Sequence, residues 1–178
     1  MIFKNSQLQL SELPAIKDVE FQRLAPAYRT VEYIGAALVS GFLFAGWLVF
    51  FFVNPLNWAW LNWGTLALWA SLFGLSMYVA GRRYDCAGYA LRERDILHKH
   101  GVWWRTTTSI PFNRIQHVEV SQGLVENAFN LASLRVFTAG GSSSDLSIEG
   151  LLHNDAMRIK EFITQKIGEN NGELEIEN

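Results

Sequence analysis

Tyr33 to Gly81 reads YIGAALVSGFLFAGWLVFFFVNPLNWAWLNWGTLALWASLFGLSMYVAG, 49 consecutive positions without a Lys, Arg, Asp or Glu. The 15 basic and 17 acidic residues of the chain all lie on either side of it. Such charges keep a soluble surface wet, so an uncharged stretch of this length belongs in lipid. It divides at Asn54-Pro55-Leu56-Asn57 into Ile34 to Val53, 20 residues, and Trp58 to Ala80, 23 residues. About 20 apolar residues in a helix cross the ~30 Å hydrocarbon layer, so each run is long enough. Lipid offers no partner to backbone N–H and C=O groups, and two helices joined by a tight turn satisfy them internally. Proline ends the first helix and biases Asn54 away from helical angles. The pattern predicts a membrane hairpin of two transmembrane helices, with both termini on one side.

Arg29 precedes the first span, and Arg82 and Arg83 close the second, whereas the connecting turn is uncharged. The positive-inside rule then puts both termini in the cytoplasm. Trp58, Trp60 and Trp63 beside the outer turn form one interfacial belt, and Tyr28, Tyr33, Tyr78 and Tyr84 form the other. A cleaved signal peptide fits poorly, because the apolar run is too long and is preceded by four acids. Ala37, Gly41 and Ala45 recur every four residues, as do Ala70 and Gly74. Small side chains at that spacing let helix backbones approach closely. They are expected to pack the two spans together, or else to receive a partner's transmembrane helix. Neither span carries an Asp, Glu, Lys, Arg or His, which argues against a proton relay or ion path within the bilayer.

The flanks differ from each other. Residues 1–32 carry four basic and four acidic groups, and Leu13-Pro14 and Leu24-Ala25-Pro26 interrupt any long helix. They are expected to form a partly ordered lead-in, followed by the hairpin over 33–81. From residue 82 to 168, short alternating runs with frequent turn signals predict a small β-rich domain. Strands are expected at Gly88 to Arg92, Ile96 to Gly101, Trp103 to Ile110, Ile115 to Ser121, Leu134 to Ala139 and, at an edge, Asp145 to Ile148. Glu93-Arg94-Asp95 and Gly140-Gly141-Ser142-Ser143-Ser144 are turns, and Gly123 to Asn130 a helical turn or crossover. In the fourth strand Ile115, His117 and Glu119 should face one way and Gln116, Val118 and Val120 the other. Asn154 is placed to cap a helix over Asp155 to Ile167, with Ala156, Ile159, Phe162, Ile163 and Ile167 at core spacing. Gly168 is expected to stop it, leaving 169–178 as an acidic flexible tail. Antiparallel sheets in a sandwich or half-barrel, capped by this helix, are the architecture expected.

Two stretches carry a family resemblance. Ile110-Pro111-Phe112-Asn113-Arg114-Ile115-Gln116-His117-Val118-Glu119-Val120-Ser121-Gln122-Gly123 resembles the signature of bacterial pleckstrin-homology (PH) domains of the YdbS-like group. So does Asn130-Leu131-Ala132-Ser133-Leu134-Arg135-Val136-Phe137-Thr138-Ala139-Gly140-Gly141, and Leu24-Ala25-Pro26-Ala27-Tyr28 matches the lead that precedes the spans in that group. Asn130 stands where such proteins commonly have glycine, and asparagine tolerates positive φ better than most residues. The resemblance implies a PH-like fold anchored in a bacterial inner membrane, a non-enzymatic role, and pairing with a larger membrane protein that carries several PH domains.

Chemistry-bearing residues are sparse. Cys86 is the one cysteine, so an intrachain disulfide and a multi-cysteine metal site are both excluded. It lies close enough to the membrane to be acylated. His98 and His100 share a strand face, and His117 lies on another strand, but no third ligand stands at a motif spacing, so no metal is expected. Ser142 to Ser144 lack a nucleophile elbow, and Gly140-Gly141 lacks the Lys-Ser/Thr of a phosphate loop. No catalytic residue and no cofactor is expected. Residues 82–135 carry a net charge of +3 and residues 136–178 carry −5, so the membrane-tethered half is the basic one. Arg92, Arg94, Lys99, Trp103, Trp104, Arg105 and Arg114 are therefore the candidate contacts to membrane lipids or a partner membrane protein. On a strand, one of the paired tryptophans would face inward and the other outward. The calculated pI of 6.1 offers no basic stripe for nucleic acid. A transport-complex subunit and a metal-dependent enzyme at the membrane surface are the rival readings.

Overall fold

The computed structural model describes residues 19–53, 59–139 and 145–176. The expected turns at 54–57 and 140–144, Trp58 and the first 18 residues lie outside the described residues. Two helices, α1 (Pro26–Val53) and α2 (Ala59–Cys86), form the hairpin. Their apolar windows have mean hydropathies of 2.3 and 1.3 and are only 6% and 11% buried, which sets them apart from core helices of a soluble domain. Pro26 opens α1, where its missing N–H costs nothing and its fixed φ suits a first turn. Each helix has 28 residues and is about 42 Å long, so both overreach the ~30 Å hydrocarbon layer. The overhang is at the termini: α1 begins eight residues before Ile34 and α2 runs six beyond Ala80.

The hairpin seam is aromatic. The Trp69 indole N–H donates to the Ser40 carbonyl at 3.1 Å and that of Trp47 to Thr65 Oγ1 at 2.9 Å. Phe44 lies between them, its ring 4.6 Å from Trp69 and 5.6 Å from Trp47. The small residues expected there face outward. Ala37, Ala45 and Ala70 are exposed, and a Cβ added at Gly41 or Gly74 would meet nothing within 4 Å. Bulky rings with indole donors set the helix separation, which leaves the small stripe on the outer face of the hairpin.

The β domain holds six strands: β1 (Gly88–Leu91), β2 (Asp95–His100), β3 (Thr106–Pro111), β4 (Ile115–Ser121), β5 (Leu131–Thr138) and β6 (Leu146–Leu152). They make two antiparallel sheets, β1-β2-β3 and β4-β5-β6, joined through a 3-10 turn at Phe112–Arg114. A short helix, α3 (Leu124–Ala128), connects β4 to β5, and α4 (His153–Ile176) covers the core. Ala156, Ile159 and Ile163 of α4 are buried against Leu134, Val136 and Ile148, and Phe162 meets Phe112 edge-on at 5.9 Å.

Several local details depart from the simple patterns. A register shift between Ile115 and His117 turns Ile115 into the core beside Val118, so Ile115 does not share a face with the exposed His117 and Glu119. β3 starts at Thr106, and Trp103 and Trp104 lie in the preceding bend, both outward, at 70% and 85% exposure. Neither ring points inward, because no strand pleat alternates them. α4 begins at His153, whose N–H donates to the Asn130 carbonyl at 3.0 Å. It also continues through Gly168. An exposed mid-helix glycine costs only about 1 kcal/mol, and Gln165 and Lys166 both bond Glu169 across it, at 3.0 and 2.6 Å.

Candidate functional site

The overhanging helix ends meet the β domain in a polar cluster. The Tyr28 hydroxyl lies 2.6 Å from Glu32 Oε1 and 2.9 Å from Glu149 Oε2, so one proton serves two carboxylates. Arg83 Nη1 donates to Glu32 Oε2 at 3.4 Å, which ties α2 to α1. Gly150 makes the seat for the Tyr28 ring. Its φ is +72°, and a Cβ there would lie 2.2 Å from a ring carbon. Ala25 N–H donates to the Gly150 carbonyl at 2.9 Å, and Gln22 exchanges backbone hydrogen bonds with Tyr89 at 2.7 and 3.1 Å. Residues Gln22 to Tyr28 thus clamp the edges of both sheets, with Leu24, Ala25 and Tyr28 buried in the core. The partners Tyr28 and Glu149 stand 121 positions apart, so no local spacing reveals this cluster. The one signal was the Leu24-Ala25-Pro26-Ala27-Tyr28 lead.

Two cavities flank the cluster. The smaller, about 350 Å³, runs between the sheets, with His98, His100 and Thr108 on one side and Asp145 and Ser147 on the other. His98 is buried and its ring lies 4.9 Å from that of His100. Burial, aided by the neighbouring imidazole, pushes the His98 pKa down to about 4, so the ring is neutral at physiological pH. His117 does not join the pair; it stacks on Phe137 at 4.3 Å. Among the described residues, no three of His, Cys, Asp or Glu gather as a metal site. The larger cavity, about 990 Å³, is a groove between the hairpin and the outer face of sheet β4-β5-β6.

The candidate contact residues separate into two groups at opposite ends of sheet β1-β2-β3. Gly88, two residues past the end of α2, pairs with Lys99, so the β2–β3 turn with Trp103, Trp104 and Arg105 adjoins the hairpin. Lys99 Nζ sits 5.7 Å from the centre of the Phe21 ring. Arg92 and Arg94 occupy the β1–β2 turn, roughly 13 Å further along the strands. There Arg92 grips Asp95 through two hydrogen bonds, one of 2.7 Å, and holds that carboxyl below its ordinary range. Arg114 lies near that end and near Asp145, whose carboxyl is lowered chiefly by the Thr138 hydroxyl.

The Ile110–Gly123 stretch forms the sheet-to-sheet corner, and Asn130 takes φ +55° immediately before β5. A family model described as "Bacterial PH domain" matches residues 31–167, hairpin and β domain together. The chain belongs to the bacterial PH-domain family. The UPF0699 transmembrane protein YdbS of Bacillus subtilis (strain 168) is 30% identical over 83 residues, 47% of this chain. The chain spans about half the length of that relative, 50%. No solved structure matches it. This is therefore a YdbS-like bacterial PH-domain membrane protein.

Proposed function

We propose that this PH-domain protein is a non-enzymatic binding module of the bacterial inner membrane. Two spans anchor it, both termini are cytoplasmic, and it engages a partner membrane protein, the anionic inner leaflet, or both. The observation that carries the reading is the β2–β3 turn. Two tryptophans and an arginine stand exposed at the sheet end beside the hairpin, where indole rings favour the headgroup zone or an interface pocket. Beside it, β3 pairs only with β2 among the described residues, and its second edge suits an added partner strand.

The test is recovery of a second PH-domain membrane protein from gently solubilised membranes. Changing Trp103→Ser and Trp104→Ser together with Arg105→Glu should lower recovery about tenfold, with the thermal melt unchanged. Recovery equal to the parent protein would remove the assignment. Protease added to sealed spheroplasts should spare the C-terminal half, and digestion there would reverse the orientation. A second reading, a small subunit of a transport complex, draws support from the outward stripe of Ala37, Gly41 and Ala45, which suits a partner's transmembrane helix.

A further inference from the structure

The groove of about 990 Å³ is amphipathic along its length. From Glu32 to Leu43 on α1 the rise is about 16 Å, close to the ~15 Å depth of one hydrocarbon leaflet. Over that distance its walls are mostly apolar, with Val39, Leu43, Leu72 and Val79 lining it beside Ser40 and Ser76, whose hydroxyl turns back to the Phe73 carbonyl at 2.8 Å. Gly35 and Ala36 keep the α1 wall low, and a Cβ at Gly35 would meet nothing within 4 Å. Trp69 lines the deep end, its indole bonded to the Ser40 carbonyl. The shallow end is lined by charge of both signs: Arg83 and Arg135 beside Glu32, Glu126 and Glu149. Arg135 is exposed on β5 and has no ion-pair partner among the described residues. Glu126 accepts from Gly123 N–H at 2.7 Å and from the Ser133 hydroxyl at 2.8 Å, which fixes its carboxylate.

We propose that this groove holds one diacyl aminophospholipid of the adjoining leaflet. An acyl chain lies along the α1–α2 surface, and the phosphoethanolamine headgroup sits against the outer face of sheet β4-β5-β6. The guanidiniums of Arg135 and Arg83 bind the phosphate, and Glu149 and Glu126 take the ammonium. Three carboxylates against two guanidiniums select the zwitterion over a purely anionic headgroup. Its volume lies at the upper end of small-molecule sites, which suits part of a lipid enclosed on one side only. The inference rests on the membrane-anchored reading but not on the β2–β3 turn, so failure of partner capture leaves it standing.

The full chain, purified in detergent and delipidated, is titrated with dioleoylphosphatidylethanolamine and, separately, dioleoylphosphatidylglycerol, and adducts are counted by native mass spectrometry. A saturating one-to-one adduct with the ethanolamine lipid is expected. It should weaken about tenfold in Arg135→Ala, the effect of losing one charge-assisted hydrogen bond. It should weaken similarly in Gly35→Phe, which fills the groove where open space makes folding safe. Equal binding of the two lipids, unsaturated multiple adducts, or an adduct indifferent to both variants would overturn the proposal. So would an efficient Gly35→Cys cross-link between two copies in a Cys86→Ser background, which would assign the groove to a second hairpin.

Discussion

The junction between hairpin and β domain and the β2–β3 turn are neighbours in space and opposites in construction. At the junction Tyr28, Glu32, Arg83 and Glu149 bond one another, and Gly150 gives up a side chain so that a ring can fit. At the turn two indoles keep most of their surface uncovered, and Arg105 beside them is exposed. The first arrangement ties the domain down, even where Arg83 and Glu149 also face the groove, and the second leaves its groups exposed. Holding the domain and meeting a partner at the turn are thus assigned to different residues, and substitutions at the two places should separate into those that change stability and those that change partner contacts.

The largest effect belongs to the junction. Gly150→Ala forces an L side chain into positive φ and drives its Cβ into the Tyr28 ring. Strain and overpacking together should cost about 4 kcal/mol. Denaturant melts of the β domain in detergent read this directly, and a variant as stable as the parent would show that the clamp carries no load.

Next comes the buried imidazole beneath the junction. His98 titrates at about 4 in the fold, against an ordinary value of 6.5. Below pH 6.5 the unfolded chain takes up a proton that the native protein refuses until about pH 4. Stability is therefore full above 6.5, falls as pH drops through this window, and levels off below it, by about 3 kcal/mol in all. His98→Gln should flatten the profile between pH 6.5 and 4. The lowered carboxyls of Asp95 and Asp145 give way only below the ordinary carboxylate range, so they do not mimic the effect. An unchanged slope in the variant would assign the pH response elsewhere.

Much of the fold was legible because it depends on local pattern. The charge gap marks the hairpin, alternation marks the strands, and the 3.6-residue spacing from Ala156 to Ile167 marks the core face of α4. What stayed hidden depends on contacts between distant positions or on single-residue irregularities. The shift after Ile115 inverts an otherwise regular strand, and the Gln165, Lys166 and Glu169 bonds carry α4 past Gly168. The small-residue stripe does not pack the two helices together, because Phe44, Trp47 and Trp69 fill the seam. Composition counts charges but not their partners, so it does not divide the candidate surface. Arg92 and Arg105 look alike in a count, yet only Arg92 is tied to Asp95.

That last contrast yields the smallest effect and the sharpest division. Arg92 is committed to Asp95 at the far end of the sheet, whereas Arg105 lies beside the hairpin next to two exposed indoles. A basic residue close to an anionic leaflet contributes about 1 kcal/mol, so Arg105→Ala should loosen the turn from phosphatidylglycerol-containing vesicles about fivefold. A reporter cysteine placed by Thr106→Cys in a Cys86→Ser background, labelled with a membrane-impermeant maleimide, measures that release as a faster rate. Arg92→Ala should leave the rate where it was, because its charge is neutralised by Asp95 and roughly 20 Å away along the strands. Equal acceleration by the two substitutions would mean that the domain responds to its summed charge, and the turn would then have no privileged contact with the bilayer.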